Sequence, residues 1–189
     1  MIGEILTVIF YLFGLAVLDW FMMTFWIEFY YLFGLPLYRK TFRYSNDLSN
    51  MALVDKIDSK LITLHAPFEL REFNGCTVAF REKYQFAMPL GEDKKKGYNP
   101  VMHGLVKFDR HNRTVTITGI ANWFWLFFIP TFIYIASLVT ADGSLSSEIM
   151  RYLFIAGPPV VFFIVYYKQK KIYEKIVALL KMEMGGIDY

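Results

Sequence analysis

The sequence predicts a membrane protein of three transmembrane α-helices, with a small cytoplasmic α+β domain, an antiparallel sheet plus one helix, inserted between helix 1 and helix 2. Three observations carry this expectation. Apolar runs at about residues 5 to 33, 120 to 141 and 149 to 167 each approach or exceed the roughly 18 to 20 residues that cross a bilayer. The stretch between the first two runs is polar, and parts of it alternate apolar with polar side chains, as half-buried strands do. Composition agrees, with 56% hydrophobic and 19% aromatic residues against 20% charged ones gathered into that stretch and the tail. The boundaries that follow are 1–36 for helix 1 with a cytoplasmic extension, 37–119 for the domain and 120–141 for helix 2. A short external loop at 142–148, helix 3 at 149–167 and an amphipathic cytoplasmic tail at 168–189 complete the chain.

The opening "MIGE" has no cationic segment and no A-x-A-like cleavage site follows the first run, so helix 1 is expected as a retained anchor. A helix from residue 2 to 33 would reach about 48 Å, against an apolar bilayer core of about 30 Å, so one end protrudes. "GLP" at 34–36 ends it. Trp26 and Glu28 then fall at the headgroup level, in an aromatic belt with Tyr30 and Tyr31.

"LYRKTFRY" reads as a strand. After it, Val54, Ile57, Leu61 and Leu64 share one face of a helix capped by Asn46 or Asp47 and stopped at Pro67. "FELREFNGCTVAFREKYQF" reads as a hairpin. A three-residue loop of Phe73, Asn74 and Gly75, with a left-handed glycine, pairs Phe68 with Phe80, Leu70 with Val78 and Glu72 with Cys76. "PLGEDKKKGYNP" is a loop, and "HGLVKFDRHNRTVTITGI" a second hairpin turning at about Asp109 to Arg113. Only "ANW" separates it from helix 2, which places the sheet against the membrane surface. Gly157, Pro158 and Pro159 interrupt helix 3 and predict a kink. In the tail, Tyr173, Ile176, Val177 and Leu180 form an apolar stripe that covers the sheet or lies on the membrane, ending at Gly185 and Gly186.

Orientation follows from the cations. Arg39, Lys40, Arg43 and Lys94, Lys95, Lys96 lie in the domain, and "KQKKIYEK" opens the tail, whereas the other side holds "MIGE" and "TADGSLSSE". Excess Lys and Arg marks the cytoplasmic side, which puts the N-terminus outside and both the domain and the C-terminus inside. The single cysteine, Cys76, excludes an intrachain disulfide.

Asp19 is the sharpest chemical signal, since a carboxylate deep in a spanning helix costs about 2.5 to 3.5 kcal/mol on insertion scales. By depth its partners are expected to be Thr131, Tyr134 and Ser137, a polar stripe at spacing three on helix 2. His65, His103, His111 and Cys76 lack the spacing of metal ligands, and no nucleophile motif or phosphate-binding loop is present. No catalytic residue, metal or cofactor is therefore expected. The domain carries 14 Lys and Arg against nine Asp and Glu without an aromatic platform for nucleic acid. Its Lys94, Lys95, Lys96 loop is a candidate lipid-facing basic surface.

These residues predict a non-enzymatic integral inner-membrane protein of bacterial type, whose cytoplasmic domain binds a partner or signal as an accessory, regulatory or immunity-like component. The expected partners are the bilayer and either another protein or a second copy. Two other readings use the same residues: a subunit of a small oligomeric channel or transporter using Asp19, and a sensor of anionic lipid acting through the lysine loop.

Overall fold

The computed structural model describes residues 2–45, 68–82, 100–138 and 145–186. Two helices, α1 (Ile2–Thr24) and the short α2 (Glu28–Leu32), precede strand β1 (Pro36–Arg43). Strands β2 (Phe68–Asn74), β3 (Thr77–Glu82), β4 (Met102–Asp109) and β5 (Thr114–Ala121) follow. Helices α3 (Trp123–Leu138) and α4 (Leu145–Met184) close the chain. The expected helix over Val54 to Leu64 and the Lys94, Lys95, Lys96 loop lie outside the described residues.

The five strands form one antiparallel sheet in the order β1-β5-β4-β3-β2. Directly paired residues share a face, so the register sorts the core. Phe42, Val115 and Phe108 line one face, as do Val78, Val106 and Ile117. That face is covered by the second half of α4, where Tyr173, Ile176, Val177 and Leu180 are all buried. The tail stripe read from the sequence thus meets the sheet. The opposite face presents Ala79, Leu105 and His103, and these meet Met23, Tyr30 and Tyr31 from the α1–α2 corner.

Cross-strand partners Gly104 and Gly119 leave a hollow at the centre of the sheet. The Phe80 ring fills it, 5.0 Å from the Tyr173 ring. A Cβ on Gly104 would run into the Phe80 ring, and one on Gly119 would sit 2.6 Å from the Met102 sulfur. Gly104→Ala is expected to cost about 2 kcal/mol in a denaturant or thermal melt, as overpacking does. Phe80→Leu in the same chain should restore part of it; an additive double variant would show that the ring is not the obstacle.

Several elements differ from the sequence expectation. Helix 1 does not continue to residue 33. Trp26 takes a left-handed conformation (φ 55°), with Trp26 N–H donating to the Met23 carbonyl and Ile27 N–H to Met22. This is the two-bond helix terminus in which glycine is usual. The strain of a side chain there, about 1 to 2 kcal/mol, is offset by packing: the Trp26 ring stacks on Tyr31 at 5.2 Å and carries the Arg81 guanidinium at 4.4 Å.

The first hairpin turns through Gly75 and Cys76 and pairs Leu70 with Phe80 and Glu72 with Val78, with a bulge between Glu72 and Asn74. The expected pairing of Leu70 with Val78 is two residues away. A slip of two keeps every side chain on its face, so alternation alone does not separate the registers. Gly75 is not left-handed, and a Cβ there would meet nothing within 4 Å. The second hairpin turns over Arg110 to Arg113, with Arg113 at φ 49°.

Ile120 and Ala121, expected to open helix 2, belong to β5 and pair with His103 and Met102. Only Asn122 separates strand from helix. Helix 3 and the tail are one 40-residue helix that continues through Pro158 and Pro159. It ends at Gly185 (φ 60°), where the Gly186 N–H closes on the Lys181 carbonyl at 2.7 Å.

α3 packs on both α1 and α4. Aromatic side chains join it to α4, Trp125 to Phe162 at 5.8 Å and Phe132 to Phe154 at 5.9 Å. Two helices are long and apolar enough to cross a membrane, in the segments Leu6–Thr24 and Glu148–Met184; the apolar stretch of α3, Trp123–Ser137, is shorter.

Candidate functional site: a polar junction between helices and sheet

The break at Trp26 turns the chain back, and this creates the site. Eleven residues of straight helix would hold Tyr30 about 16 Å from Asp19. Instead the Tyr30 hydroxyl donates to Asp19 Oδ1 at 2.7 Å, and both residues are buried. The same carboxylate oxygen accepts the Phe124 N–H at 3.3 Å, with the Trp123 backbone alongside.

Phe124 lies in the first turn of α3, whose leading N–H groups have no partner within the helix and carry its positive dipole end. Asp19 supplies the missing acceptor from another helix. Asn122, at the position where a capping side chain is usual, has its own side chain engaged elsewhere. Its Nδ2 donates to the Pro100 carbonyl at 2.8 Å, which leaves Oδ1 to face His103 Nδ1 at 2.8 Å. A carbonyl only accepts, so the amide orientation is settled and His103 Nδ1 carries the proton.

His103 is fully buried, its ring 4.6 Å from Tyr30 and 4.7 Å from Tyr31. Burial holds its pKa down at about 4, against smaller opposing contributions from Asn122 and the Tyr30 backbone. Burial likewise pushes the Tyr30 and Tyr31 hydroxyls well above the ordinary phenol range.

Two more side chains complete the junction. Gln169 of α4 is fully buried and bonds to strand backbone: its Oε1 accepts from Val101 and Met102 N–H, each at 3.0 Å, and its Nε2 donates to the Met102 carbonyl at 2.8 Å. Arg81 pairs with Glu69 (Nε to Oε2, 2.8 Å) and donates to the Met23 carbonyl in the last turns of α1. A cation meets the C-terminal end of α1 and a carboxylate the N-terminal end of α3, the favourable sense at both dipoles.

The residues singled out from sequence fall differently. Asp19 does not meet Thr131, Tyr134 or Ser137. Thr131 Oγ1 donates to the Phe127 carbonyl at 2.7 Å and Ser137 Oγ to Tyr134 at 2.6 Å, within their own helix, while the Tyr134 side chain is exposed. The depth assignment assumed a helix reaching residue 33; with α1 ending at Thr24, Asp19 stands beside the start of α3 instead. Trp26 forms the corner itself, and Glu28 is exposed in the first turn of α2.

Tyr30, His103, Asn122, Gln169 and Arg81 were not singled out as site residues. Asn122, directly before an apolar helix, carries a local signal for a cap. The others are joined only by long-range contacts. Among the described residues no group of His, Cys, Asp or Glu is arranged to hold a metal ion.

The fold and junction define a class: an antiparallel sheet held between a long C-terminal helix and a helical corner, with apolar helices extending from it. Comparison with known proteins finds no matching family, no similar curated protein and no similar solved structure.

Proposed function

We propose that the chain is a non-enzymatic integral membrane protein of the bacterial inner-membrane type, crossing the bilayer with α1, α3 and the first half of α4. Its sheet domain stands on the cytoplasmic side and binds a partner or signal, in an accessory, regulatory or immunity-like role. One observation supports this best. The polar side chains of the junction are spent on joining elements, Asp19 linking α1, α2 and α3 while Asn122 and Gln169 hold the start of β4. Such an arrangement transmits the position of the helices to the sheet. The exposed apolar side chains of α1 and α4, Phe10, Phe13, Leu153 and Phe163 among them, suit lipid.

A reporter fused after Tyr189 is expected in the cytoplasm and one fused before Met1 outside; the reverse at both ends would sink the topology. In proteoliposomes, proton and cation leak should equal that of empty vesicles. A leak abolished by Asp19→Asn would put the channel reading in its place.

A further inference from the structure

The apolar run of α4 gives way to cations within one turn: Lys168 and Lys171 are exposed and Lys170 partly so. At this height the Tyr166 hydroxyl donates to the Leu37 carbonyl at 3.2 Å, which brings the start of β1 beside the helix, and exposed Lys40, paired with Ile117, is on the sheet face that α4 covers. None of the Lys40, Lys168 and Lys170 side chains forms an ion pair or hydrogen bond among the described residues. The acid at hand is Glu174, about one turn further along α4 and near Tyr38. Lys171 Nζ lies 5.1 Å over the ring of Tyr167, itself 59% exposed.

We propose that this collar binds the phosphate headgroups of anionic phospholipids in the leaflet next to the sheet. The proposal rests on the reading that α4 crosses the membrane. Lipid fits better than a soluble polyanion because the cations do not stand alone. Phe163 (64% exposed), Ile164 and Val160 continue the same helix on the apolar side, so an acyl chain lies along them while the phosphate meets the lysines. Tyr167, between the two, has the amphipathic character that interfacial aromatic residues share.

Native mass spectrometry of the full chain in neutral detergent, with phosphatidylglycerol or phosphatidylcholine added, tests this. Phosphatidylglycerol should be retained and phosphatidylcholine not. Lys168→Gln, Lys170→Gln and Lys171→Gln together should weaken retention about tenfold or more, since each juxtamembrane cation contributes comparably. Lys107→Gln, an exposed cation elsewhere on the sheet, should leave it unchanged. If the triple variant fails to fold, Lys171→Gln alone is expected to give a severalfold loss. Equal loss from Lys107→Gln, or displacement of the lipid by millimolar inorganic phosphate, would overturn the proposal. Alkaline extraction separates the two failures: a chain that stays in the membrane but retains both lipids alike refutes the collar only, whereas a chain released from it refutes the membrane reading.

Discussion

Asp19→Leu is expected to destabilise the folded protein by about 4 kcal/mol, measured as a denaturant or thermal midpoint in detergent. The leucine strands two donors, the buried Tyr30 hydroxyl and the partly buried Phe124 N–H. Each unsatisfied buried donor costs about 1 to 3 kcal/mol. Asp19→Asn keeps an oxygen at the same place, and asparagine caps helices nearly as well as aspartate, so it should lose about 1 kcal/mol. Tyr30→Phe removes a donor rather than stranding one and should fall between them. Insertion works in the opposite sense, since removing the carboxylate from α1 eases entry of that helix into a bilayer. A leucine variant that inserts well yet melts early is therefore the expected signature. Equal melting of the Leu and Asn variants would show that Asp19 does not hold the junction.

Acid should loosen the same junction through His103. In the unfolded chain this imidazole takes up a proton near pH 6.5; in the folded chain, where its pKa is lowered to about 4, it refuses the proton over that interval. The unfolded state then binds more protons, so stability is fully present above about pH 6.5 and falls as the pH drops toward 4. The loss attributable to this group is about 3 kcal/mol between pH 7 and pH 4. His103→Gln retains a donor toward Asn122 and has no titration. It should be less stable at pH 7 and should lose this part of the acid slope. Parallel stability curves for the two proteins across pH 4 to 7 would place the acid sensitivity elsewhere.

Both predictions concern one construction. α1 ends where Arg81 meets the Met23 carbonyl, α3 begins where Asp19 meets its first N–H groups, and Gln169 holds α4 to the start of β4. Each contact ties a helix to a group from a distant part of the chain. A displacement of any one helix therefore leaves a buried polar group without its partner, which couples helix position to the sheet more tightly than apolar packing alone.

Much of the fold was legible because it depends on local pattern. The strand at residues 36–43, the hairpin over Asp109 to Arg113 with Val115 and Ile117 facing inward, and the Tyr173, Ile176, Val177, Leu180 stripe all follow from periodicity of two or 3.6. Periodicity also failed in a specific way at the first hairpin, where registers two residues apart leave the same side chains on the same face. The observed register sets Glu69 directly opposite Arg81, and the two side chains pair across the strands. Trp26 gave no warning of a helix end, because a left-handed tryptophan is tolerated only when Tyr31 and Arg81 pack on its ring.

The sequence by itself determined that apolar helices flank a polar antiparallel sheet, that the C-terminal segment has a face to cover it, and that Asp19 needed a partner. Only the tertiary structure decided which partner. The local code records what a residue can bond to, a carboxylate wanting donors in a place without water. It does not record which donors a reversal at residue 26 and a strand-to-helix junction at residue 122 will bring within 3 Å or so of it.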